Sequence, residues 1–433
     1  MPTFPADPRF HADVSPPVYI HTLAASFRLF GLGIPQARLV SALSGVGLVI
    51  IVFLLASDIG GPSCGVLAAL IAATDTFIVV ASRTTRAEAE NALLCWLATL
   101  LCFRAIQRRS LRLTCLSGVT CGLAMLCHPL SLAVFASLLL FFLMEYGWNI
   151  WKRPFALVFA LSAVSLLVPY LFWCFSDAAH VAGFQDMYIS KMREPFAERI
   201  LGEADRWSDY VGFTSQRVPL PVHIPMRIHL PIILGAAFLF LFRHNRKLAL
   251  AALTFLAVTV AWFFYMVNKG PRYLILPAPL FAIVLAYFAV HYRPQGRRIA
   301  VAALVLVLLT QVAGNVYWLY EFRTASYPDV ARQLRQIVPL EASVYGAGTF
   351  WLALHDRTYF SFDRTPFEFA RQILRPQYLI LFDRVMMHGS GHGIDSFAAE
   401  RSQQASFVRS HGRLAGYVSN PFYGNIEIYQ VFY

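Results

Sequence analysis

The sequence predicts an α-helical polytopic membrane protein of about ten transmembrane helices, followed by a small C-terminal extracytoplasmic α/β domain. The prediction rests first on composition, because 58% of the 433 residues are hydrophobic and only 14% are charged. Soluble domains contain about 45–50% apolar and about 25% charged residues. A soluble chain of this length cannot bury so much apolar surface, so a bilayer must cover it.

The distribution of basic residues is the second observation. Lysine and arginine exceed aspartate and glutamate by 36 to 24, but they lie in short clusters between apolar runs. Nucleic-acid binding needs a continuous basic patch, so this class is excluded. Short loops rich in lysine and arginine instead mark the cytoplasmic side of a membrane.

Ten apolar runs are predicted to cross the membrane. Several reach the ~20 residues that a spanning helix needs, whereas the run at 229–242 is short. The ten runs cover about residues 39–57, 62–82, 89–104, 112–127, 129–146, 154–175, 229–242, 248–267, 273–292 and 299–320. If every run crosses once, all the basic clusters fall on the cytoplasmic side. These clusters are Arg108, Arg109 and Arg112; Lys152 and Arg153; Arg243, Arg246 and Lys247; and Arg293, Arg297 and Arg298.

The connecting and terminal segments without these basic clusters are predicted to lie outside. The sequence also predicts three domains. They are an N-terminal segment with an interfacial helix (1–38), a transmembrane core with an outer loop at 176–228 (39–320), and an α/β domain (321–433). Pro16 and Pro17, followed by the amphipathic stretch His21–Phe30, suit a helix that lies along the membrane surface.

Helices and short strands alternate in the C-terminal region, which predicts its α/β class. Helices are predicted at Val330–Val338 and near Phe367–Ile373, and strands at Ser343–Gly346, Thr358–Phe362, Tyr378–Phe382 and Asn425–Phe432.

Motif searches exclude several kinds of chemistry. All seven cysteines fall inside apolar stretches without metal-ligand spacing, so they are predicted to be small core or lipid-facing residues. No G-x-S-x-G, Walker or H-E-x-x-H pattern occurs, which leaves soluble-type hydrolases, ATPases and proteases without support.

The first candidate site is the charged turn that contains Arg83, Arg86, Glu88 and Glu90. Glu88 falls in the first turn of the following helix, where the helix dipole favours a carboxylate. Two interpretations stay open. Arg86 and Glu90, spaced i,i+4, can simply pair, or the arginines hold an anionic group while a carboxylate handles a proton or a metal.

The second candidate site is the basic segment at Lys269 and Arg272, which precedes Tyr273 at the predicted start of helix 273–292. Cations beside a helix N-terminus form an anion site, because backbone N–H groups and the dipole add to their charge. The alternative is interfacial anchoring by the tyrosine and snorkelling cations. An outward loop has no topological reason to be basic, which favours the anion site.

Three further features are weaker. His128, before Pro129, can bind a phosphate or a metal, or it is merely interfacial. Asp75 lies inside an apolar run, where a carboxyl group is costly and usually functional, unless it stands at a break in the helix within reach of water. The glycine-rich loop 388–393 contains two histidines and is either a ligand loop or a mobile connection.

The order of these motifs resembles the C-type membrane glycosyltransferases. More narrowly, it resembles glycosyltransferase family 39, which includes protein mannosyltransferases and lipid A aminoarabinose transferases. Ser15–Tyr19, Phe27–Gly31 and Ala37–Gly45 are similar to the family's K/H-P-P-L-Y, F-x-L-F-G and R-L-P-S-A-L-x-G. Arg83–Glu88 is similar to R-x-x-R-P-[DE], and Lys269–Pro277 to K-x-x-R-Y-L-L-P. The resemblance covers about residues 10–290.

The resemblance implies transfer of a sugar from a polyprenyl-phosphate donor to a lipid, glycan or protein acceptor. The reaction would occur on the non-cytoplasmic face of a cell membrane, with a bacterial inner membrane as the expected location. It implies that Lys269 and Arg272 hold the donor phosphate with help from Arg83 and Arg86, and that Glu88 shapes the acceptor or metal site. His128 and Tyr273 are further candidate substrate-binding residues. These groups are expected to converge on one outward cavity, and the need for a divalent metal stays open.

One departure from the family pattern concerns the N-terminus. Family members begin with a transmembrane helix and carry a catalytic acidic residue about thirty residues before the paired prolines. Of the two upstream carboxylates here, Asp7 and Asp13, neither stands at that position. Asp13 is the candidate catalytic carboxylate beside Glu88, and the chain is expected to begin after the first helix, as an incomplete or inactive relative.

Two other classes of function compete with a transferase. A lipid-linked saccharide transporter or flippase should carry more intramembrane charges and an internal repeat, whereas only Asp75 and no repeat are found. A catalytically inactive scaffold that binds glycans is compatible with the missing base.

The topology makes a first testable prediction. In a cysteine-less background, a cysteine at Ser410 should react with an impermeant maleimide from outside. A cysteine at Ser110 should react only after permeabilisation, because its loop carries the arginines that mark the cytoplasm. The reverse labelling pattern would contradict the whole orientation.

Overall fold

The structure is a computed structural model that is mostly helical and contains one small sheet. It describes residues 16–176, 178, 180–181, 197, 220–265, 271–292, 294–321, 323, 326–362, 365, 367–382, 392–420 and 423–433. The chain divides into two compact units, Met1–Gly31 with Pro35–Val316 and Leu32–Ile34 with Tyr317–Tyr433.

The first unit is a helical bundle, and each of the ten predicted apolar runs contains helix within the described residues. Its helices are α1 (Pro17–Phe30), α2 (Ile34–Gly60), α3 (Pro62–Thr74), α4 (Thr76–Ser82), α5 (Glu88–Arg108), α6 (Leu111–Met125), α7 (Ser131–Tyr146), α8 (Pro154–Cys174), α9 (Leu220–His244), α10 (Arg246–Tyr265), α11 (Ala278–His291) and α12 (Pro294–Glu321). Large apolar side chains such as Phe172 (79% exposed) and Leu239 (72% exposed) lie on the outside of the bundle, as expected for lipid contact.

Length and hydropathy limit how many of these helices span a membrane by themselves. Within the described residues, five helices are long and apolar enough, or six if the bent pair α3 and α4 is one span. Helices α6 and α11 and residues 230–244 of α9 are apolar but shorter. The prediction of ten crossings therefore stays a prediction. All seven cysteines are free, and six are buried, which agrees with their assignment as core or lipid-facing residues.

A helix, α1, is present where the interfacial helix is predicted at the N-terminus, and its position along the membrane surface stays a prediction. Pro17 stands at its first position, where a missing N–H costs nothing. Gly31, with φ of 82°, ends the helix in a conformation that favours glycine.

The predicted helix 273–292 begins later than expected. Tyr273 belongs to a short 3₁₀-helix, Pro271–Ile275, and α11 starts only at Ala278. Prolines explain the difference, because Pro277 is the N-cap and Pro279 lies in the first turn of α11, where proline is favoured. The predicted helix start at Tyr273 is therefore wrong, since Lys269 and Arg272 precede the N-terminus of α11 by several residues, and the anion site at these two cations stays a prediction.

The second unit is built around a five-stranded mixed sheet. Its strands are β1 (Ser343–Gly346), β2 (Thr358–Ser361), β3 (Tyr378–Phe382), β4 (Gly412–Asn420) and β5 (Gly424–Val431), in the order β2-β1-β3-β5-β4. Strand β1 is parallel to β2 and β3, whereas β5 is antiparallel to β3 and β4. The four predicted strands are confirmed to within one residue at each end.

Helices flank the strands of this sheet. Helix α13 (Tyr327–Ile337) confirms the predicted helix at Val330–Val338, and the predicted helix near Phe367–Ile373 is a short segment, Phe367–Phe369, that continues as a π-helical turn. Strand β4 and the preceding helix α14 (His392–His411) were not predicted. The strand lacks clean alternation, because residues 413–415 are all exposed at the sheet edge.

One close helix contact in the bundle depends on glycine. Helices α6 and α8 pack closely at Gly118 and Gly122, spaced as in the G-x-x-x-G motif of membrane helices. A Cβ atom on Gly118 would lie 2.4 Å from the Phe159 carbonyl oxygen, which is backbone and cannot move aside.

We therefore expect Gly118→Ala to lower the free energy of unfolding by about 1–3 kcal/mol, the cost of overpacking a tight contact. Thermal unfolding in detergent, followed by tryptophan fluorescence, measures this change. Gly235→Ala is the matched control, because nothing lies within 4 Å of its added Cβ. Equal midpoints for the two variants would contradict the close contact.

Candidate functional site

The candidate site is centred on the turn between α4 and α5. Residues 83–87 connect the two helices, and Glu88 is the first residue of α5, as predicted. Its side chain is 5% exposed. A carboxylate in the first turn interacts favourably with the helix dipole and with the unpaired N–H groups there.

Arg86 pairs with Glu88. The Arg86 Nε atom lies 3.1 Å from Glu88 Oε1 and 3.3 Å from Oε2. The arginine side chain is 36% exposed, and the Ser41 hydroxyl of α2 donates to the Arg86 carbonyl at 3.1 Å. The site therefore combines a buried, charge-compensated carboxylate with a guanidinium group that stays open to a ligand, and Arg83 is exposed beside it.

The alternative pairing of Arg86 with Glu90 is wrong. Arg86 precedes α5, so the i,i+4 geometry of a continuous helix does not apply to it. Glu90, which is 8% exposed, instead accepts a hydrogen bond from the Thr22 hydroxyl of α1 at 3.0 Å.

Helix α1 covers one side of the site. The Val18 N–H donates to the Leu126 carbonyl at 3.1 Å, which fastens the start of α1 to the turn after α6. Burial raises the pKa of the Tyr19 hydroxyl well above its usual range, and the charges of Glu88 and Glu90 add to the effect. Tyr19 is therefore a neutral phenol throughout the physiological range.

His128 lies in the turn between α6 and α7. Its Nδ1 atom accepts from the Leu130 N–H at 3.1 Å, so in the neutral ring the proton is on Nε2. Its ring centroid lies 5.3 Å from that of Tyr273, which is buried. The structure thus brings together two of the predicted substrate-binding residues.

The segment that carries Tyr273 packs against both α4 and α5. The Trp96 indole N–H of α5 donates to the Leu276 carbonyl at 2.9 Å and holds the end of this segment. Of the other predicted residues, Arg272 is placed by its backbone alone, and Lys269 and Asp13 lie outside the described residues.

Sequence reasoning missed a buried polar network beneath the turn. The Ser131 hydroxyl of α7 contacts Asn91 Oδ1 of α5 and the Ala124 carbonyl oxygen, the latter at 2.9 Å. Cys95 Sγ lies 3.4 Å from the Ser131 hydroxyl. The sequence signal that could have revealed this network is Asn91, a polar amide that directly follows Glu90 at the start of an apolar run.

Asp75 stands at a break between α3 and α4, which bend by 62°. It is 6% exposed, and its Oδ1 atom accepts from the N–H groups of Phe77 and Ile78, so it caps α4. The interpretation as a break in the helix is confirmed. The adjoining residue Thr74 donates to Gln311 of α12 at 2.8 Å.

The remaining predictions fall largely beyond the described part of the chain. The glycine-rich loop 388–393 is described only at its last two residues, which begin α14. Most of the loop 176–228 is likewise not described. Among the residues that are described, no group of three histidine, cysteine, aspartate or glutamate side chains could hold a metal ion.

Comparison with known proteins supports the resemblance drawn from the sequence. Residues 14–173 match the family described as dolichyl-phosphate-mannose-protein mannosyltransferase. No curated protein matches the chain.

Solved structures share the fold. ArnT from Cupriavidus metallidurans bound to undecaprenyl phosphate superimposes with a TM-score of 0.61 at 14% identity, over 96% of this chain and 87% of that one. Its apo state gives the same TM-score and coverage at 15% identity. An oligosaccharyltransferase from Archaeoglobus fulgidus has a TM-score of 0.48 at 13% identity, over 86% of this chain and 62% of that one.

The anchoring of Tyr273 can be tested with Trp96→Phe. Loss of the indole N–H leaves the buried Leu276 carbonyl unpaired, which should cost about 1–3 kcal/mol and speed hydrogen–deuterium exchange over residues 271–276. Trp148→Phe is the control, because Trp148 is 89% exposed. Unchanged exchange in Trp96→Phe would show that this hydrogen bond does not hold the segment.

Proposed function

From the family match over residues 14–173 and the fold shared with ArnT, a C-type membrane glycosyltransferase, we propose that the chain is a glycosyltransferase of this class. It moves a sugar from a polyprenyl-phosphate donor to a lipid, glycan or protein acceptor. The observation that carries the proposal is the buried Glu88 carboxylate beside Arg86, within the matched segment and next to the element that carries Tyr273.

The donor class follows from the chemistry of the turn. When the sugar leaves, negative charge grows on the lipid phosphate, and cations placed there lower the barrier. Arg83 is exposed and Arg86 is partly exposed, so both can reach a headgroup. In the proposal Lys269 and Arg272 complete this set. ArnT from C. metallidurans binds undecaprenyl phosphate, which supports the same class of lipid here.

The acceptor side of the reaction is assigned to the carboxylates. An acceptor hydroxyl must lose a proton as it attacks, and a nearby carboxylate can accept or orient that proton. Because Glu88 is already paired with Arg86, the proposal gives Glu88 the role of orienting the acceptor and makes Asp13 the candidate base. A divalent metal at this carboxylate stays open in the proposal.

His128 and Tyr273 form the apolar side of the same site. Their ring contact places an imidazole beside a buried tyrosine, where the Nε2–H of His128 can donate to a phosphate or sugar oxygen. We assign the reaction to the non-cytoplasmic face of a bacterial inner membrane, because the basic loops mark the other side. A lipid donor carries its own leaving group, which agrees with the lack of a nucleotide-binding motif.

Arg86 and Glu88 carry opposite charges, so neutralising each of them should affect binding of a lipid phosphate differently. In nanodiscs, Arg86→Gln should weaken binding of undecaprenyl phosphate by about tenfold, because a charge-assisted contact is lost. Glu88→Gln should not weaken it, since it removes a negative charge beside the phosphate. Transfer of radiolabelled sugar from a membrane lipid extract should fall by about 10²-fold or more in Glu88→Gln.

A second ion pair on the same helix supplies the control. Arg104 Nε of α5 lies 2.7 Å from Asp58 Oδ2, well along the helix from Glu88, and Arg104→Gln should leave lipid binding and transfer unchanged. Undiminished lipid binding in Arg86→Gln would overturn the assignment of Arg86 to the donor phosphate. Translocation of the labelled lipid without cleavage would identify a transporter, and binding without turnover would identify a scaffold.

A further inference from the structure

Glu90 is a buried ionisable group that the proposed reaction does not use. It lies in the first turn of α5, two residues after Glu88, and is 8% exposed. Successive helical positions two apart point in different directions, so Glu90 does not share the Arg86 guanidinium. A buried carboxylate without a strong partner is costly, so its presence requires a compensating contact.

That contact comes from α1. The Thr22 hydroxyl lies 3.0 Å from Glu90 Oε2 and 2.9 Å from the carbonyl oxygen of Tyr19. A threonine hydroxyl has one proton, and a charged carboxylate is the stronger acceptor of the two. The helix that lies along the bundle is thereby fastened to the first turn of α5.

The Thr22 contact is the middle one of three along a single face of α1. Val18, Thr22 and Ser26 are spaced by four residues, and so they line one face of the helix. Val18 N–H donates to the Leu126 carbonyl at 3.1 Å, and the Ser26 hydroxyl donates to the Gln36 carbonyl at 2.7 Å. The outer two contacts reach backbone carbonyls, whereas the middle one reaches an ionisable side chain.

The residue that this fastening places is Tyr19. It precedes Thr22 by three positions, so the two side chains are neighbours on the helix. Its hydroxyl is buried, and burial raises its pKa, an effect to which the charges of Glu88 and Glu90 add. A neutral phenol in this position can donate a hydrogen bond to an acceptor hydroxyl or to the Glu88 carboxylate.

We propose that Glu90 is a positioning residue, which acts through Thr22 to hold α1 and its buried Tyr19 hydroxyl against the first turn of α5, on the acceptor side of the site. This inference rests on the proposed glycosyltransferase function. It predicts that α1 serves the transfer step and not donor binding, because the cations that would hold the donor phosphate lie on the α4–α5 turn and at Lys269 and Arg272, and none lies on α1. Loosening α1 should slow transfer and leave binding of the lipid phosphate intact.

Thr22→Val tests the inference with almost no change in shape. It should increase hydrogen–deuterium exchange over residues 17–30 by about tenfold, the factor expected when a hydrogen bond to a charged group is lost. It should also lower kcat for transfer by about tenfold or more and leave the Kd for undecaprenyl phosphate unchanged. Glu90→Leu should show the same pattern, and Thr22→Ser, which keeps the hydroxyl, should match the wild type.

The matched control is Thr120→Val in α6. Thr120 is a buried threonine whose hydroxyl donates to the Leu116 carbonyl of its own helix at 2.8 Å, so its loss should not release α1. Thermal midpoints in detergent show whether any variant has simply lost its fold. If Thr22→Val unfolds, Thr22→Ser and Glu90→Gln, which keep donor and acceptor respectively, report on the same contact by exchange.

The outcomes separate this inference from the proposed function. Unchanged exchange of α1 in Thr22→Val and Glu90→Leu would overturn the fastening, whatever the activity. Faster exchange with normal kcat would overturn its role in positioning. A wild-type protein that neither binds undecaprenyl phosphate nor transfers sugar would contradict the proposed function, while the exchange measurement would still decide whether Glu90 holds α1.

Discussion

The structure depends on one constraint: a polar group inside an apolar bundle must find a partner within the protein. The Glu88 carboxylate pairs with Arg86, and the Glu90 carboxylate accepts a hydrogen bond from Thr22. The helix break at Asp75 meets it in a different way, because the carboxylate caps α4 while Asn315 of α12 donates to the carbonyl of Thr74 at 2.8 Å. Each of these pairings also determines where a helix begins, breaks or docks.

The first turns of α5 therefore connect much of the bundle. Glu88 faces the turn after α4, Glu90 holds α1, Asn91 contacts Ser131 of α7, and Trp96 holds the segment that carries Tyr273. Catalytic groups that come from separate elements need such a rigid support, because small displacements of reacting groups lower rates strongly. This arrangement gives a physical reason why Glu88, Glu90 and Asn91 stand together in the first turn of α5.

Local sequence patterns predicted most strands of the second unit, but they failed to predict details that depend on how several elements meet. Strands β1 and β3 were predicted at their observed bounds, since short apolar runs between turn residues identify buried strands. Strand β4 was not predicted, because an edge strand need not alternate between apolar and polar residues. In the bundle, the late start of α11 follows from local proline chemistry that the hydrophobic run concealed, and the pairing of Arg86 with Glu90 failed because the helix starts between them.

The sequence by itself determined that the chain is a helical membrane protein, where its apolar helices lie, and which charged turn resembles a known family. Those properties depend on composition and on residues near one another in the chain. Only the tertiary structure decided the partners inside the site, such as Thr22 with Glu90 and His128 with Tyr273. These pairs are separated by 68 and 145 positions, so no local periodicity encodes them. They form because folding packs distant elements side by side, and a buried polar group such as the Glu90 carboxylate must then be satisfied by whichever element lies next to it.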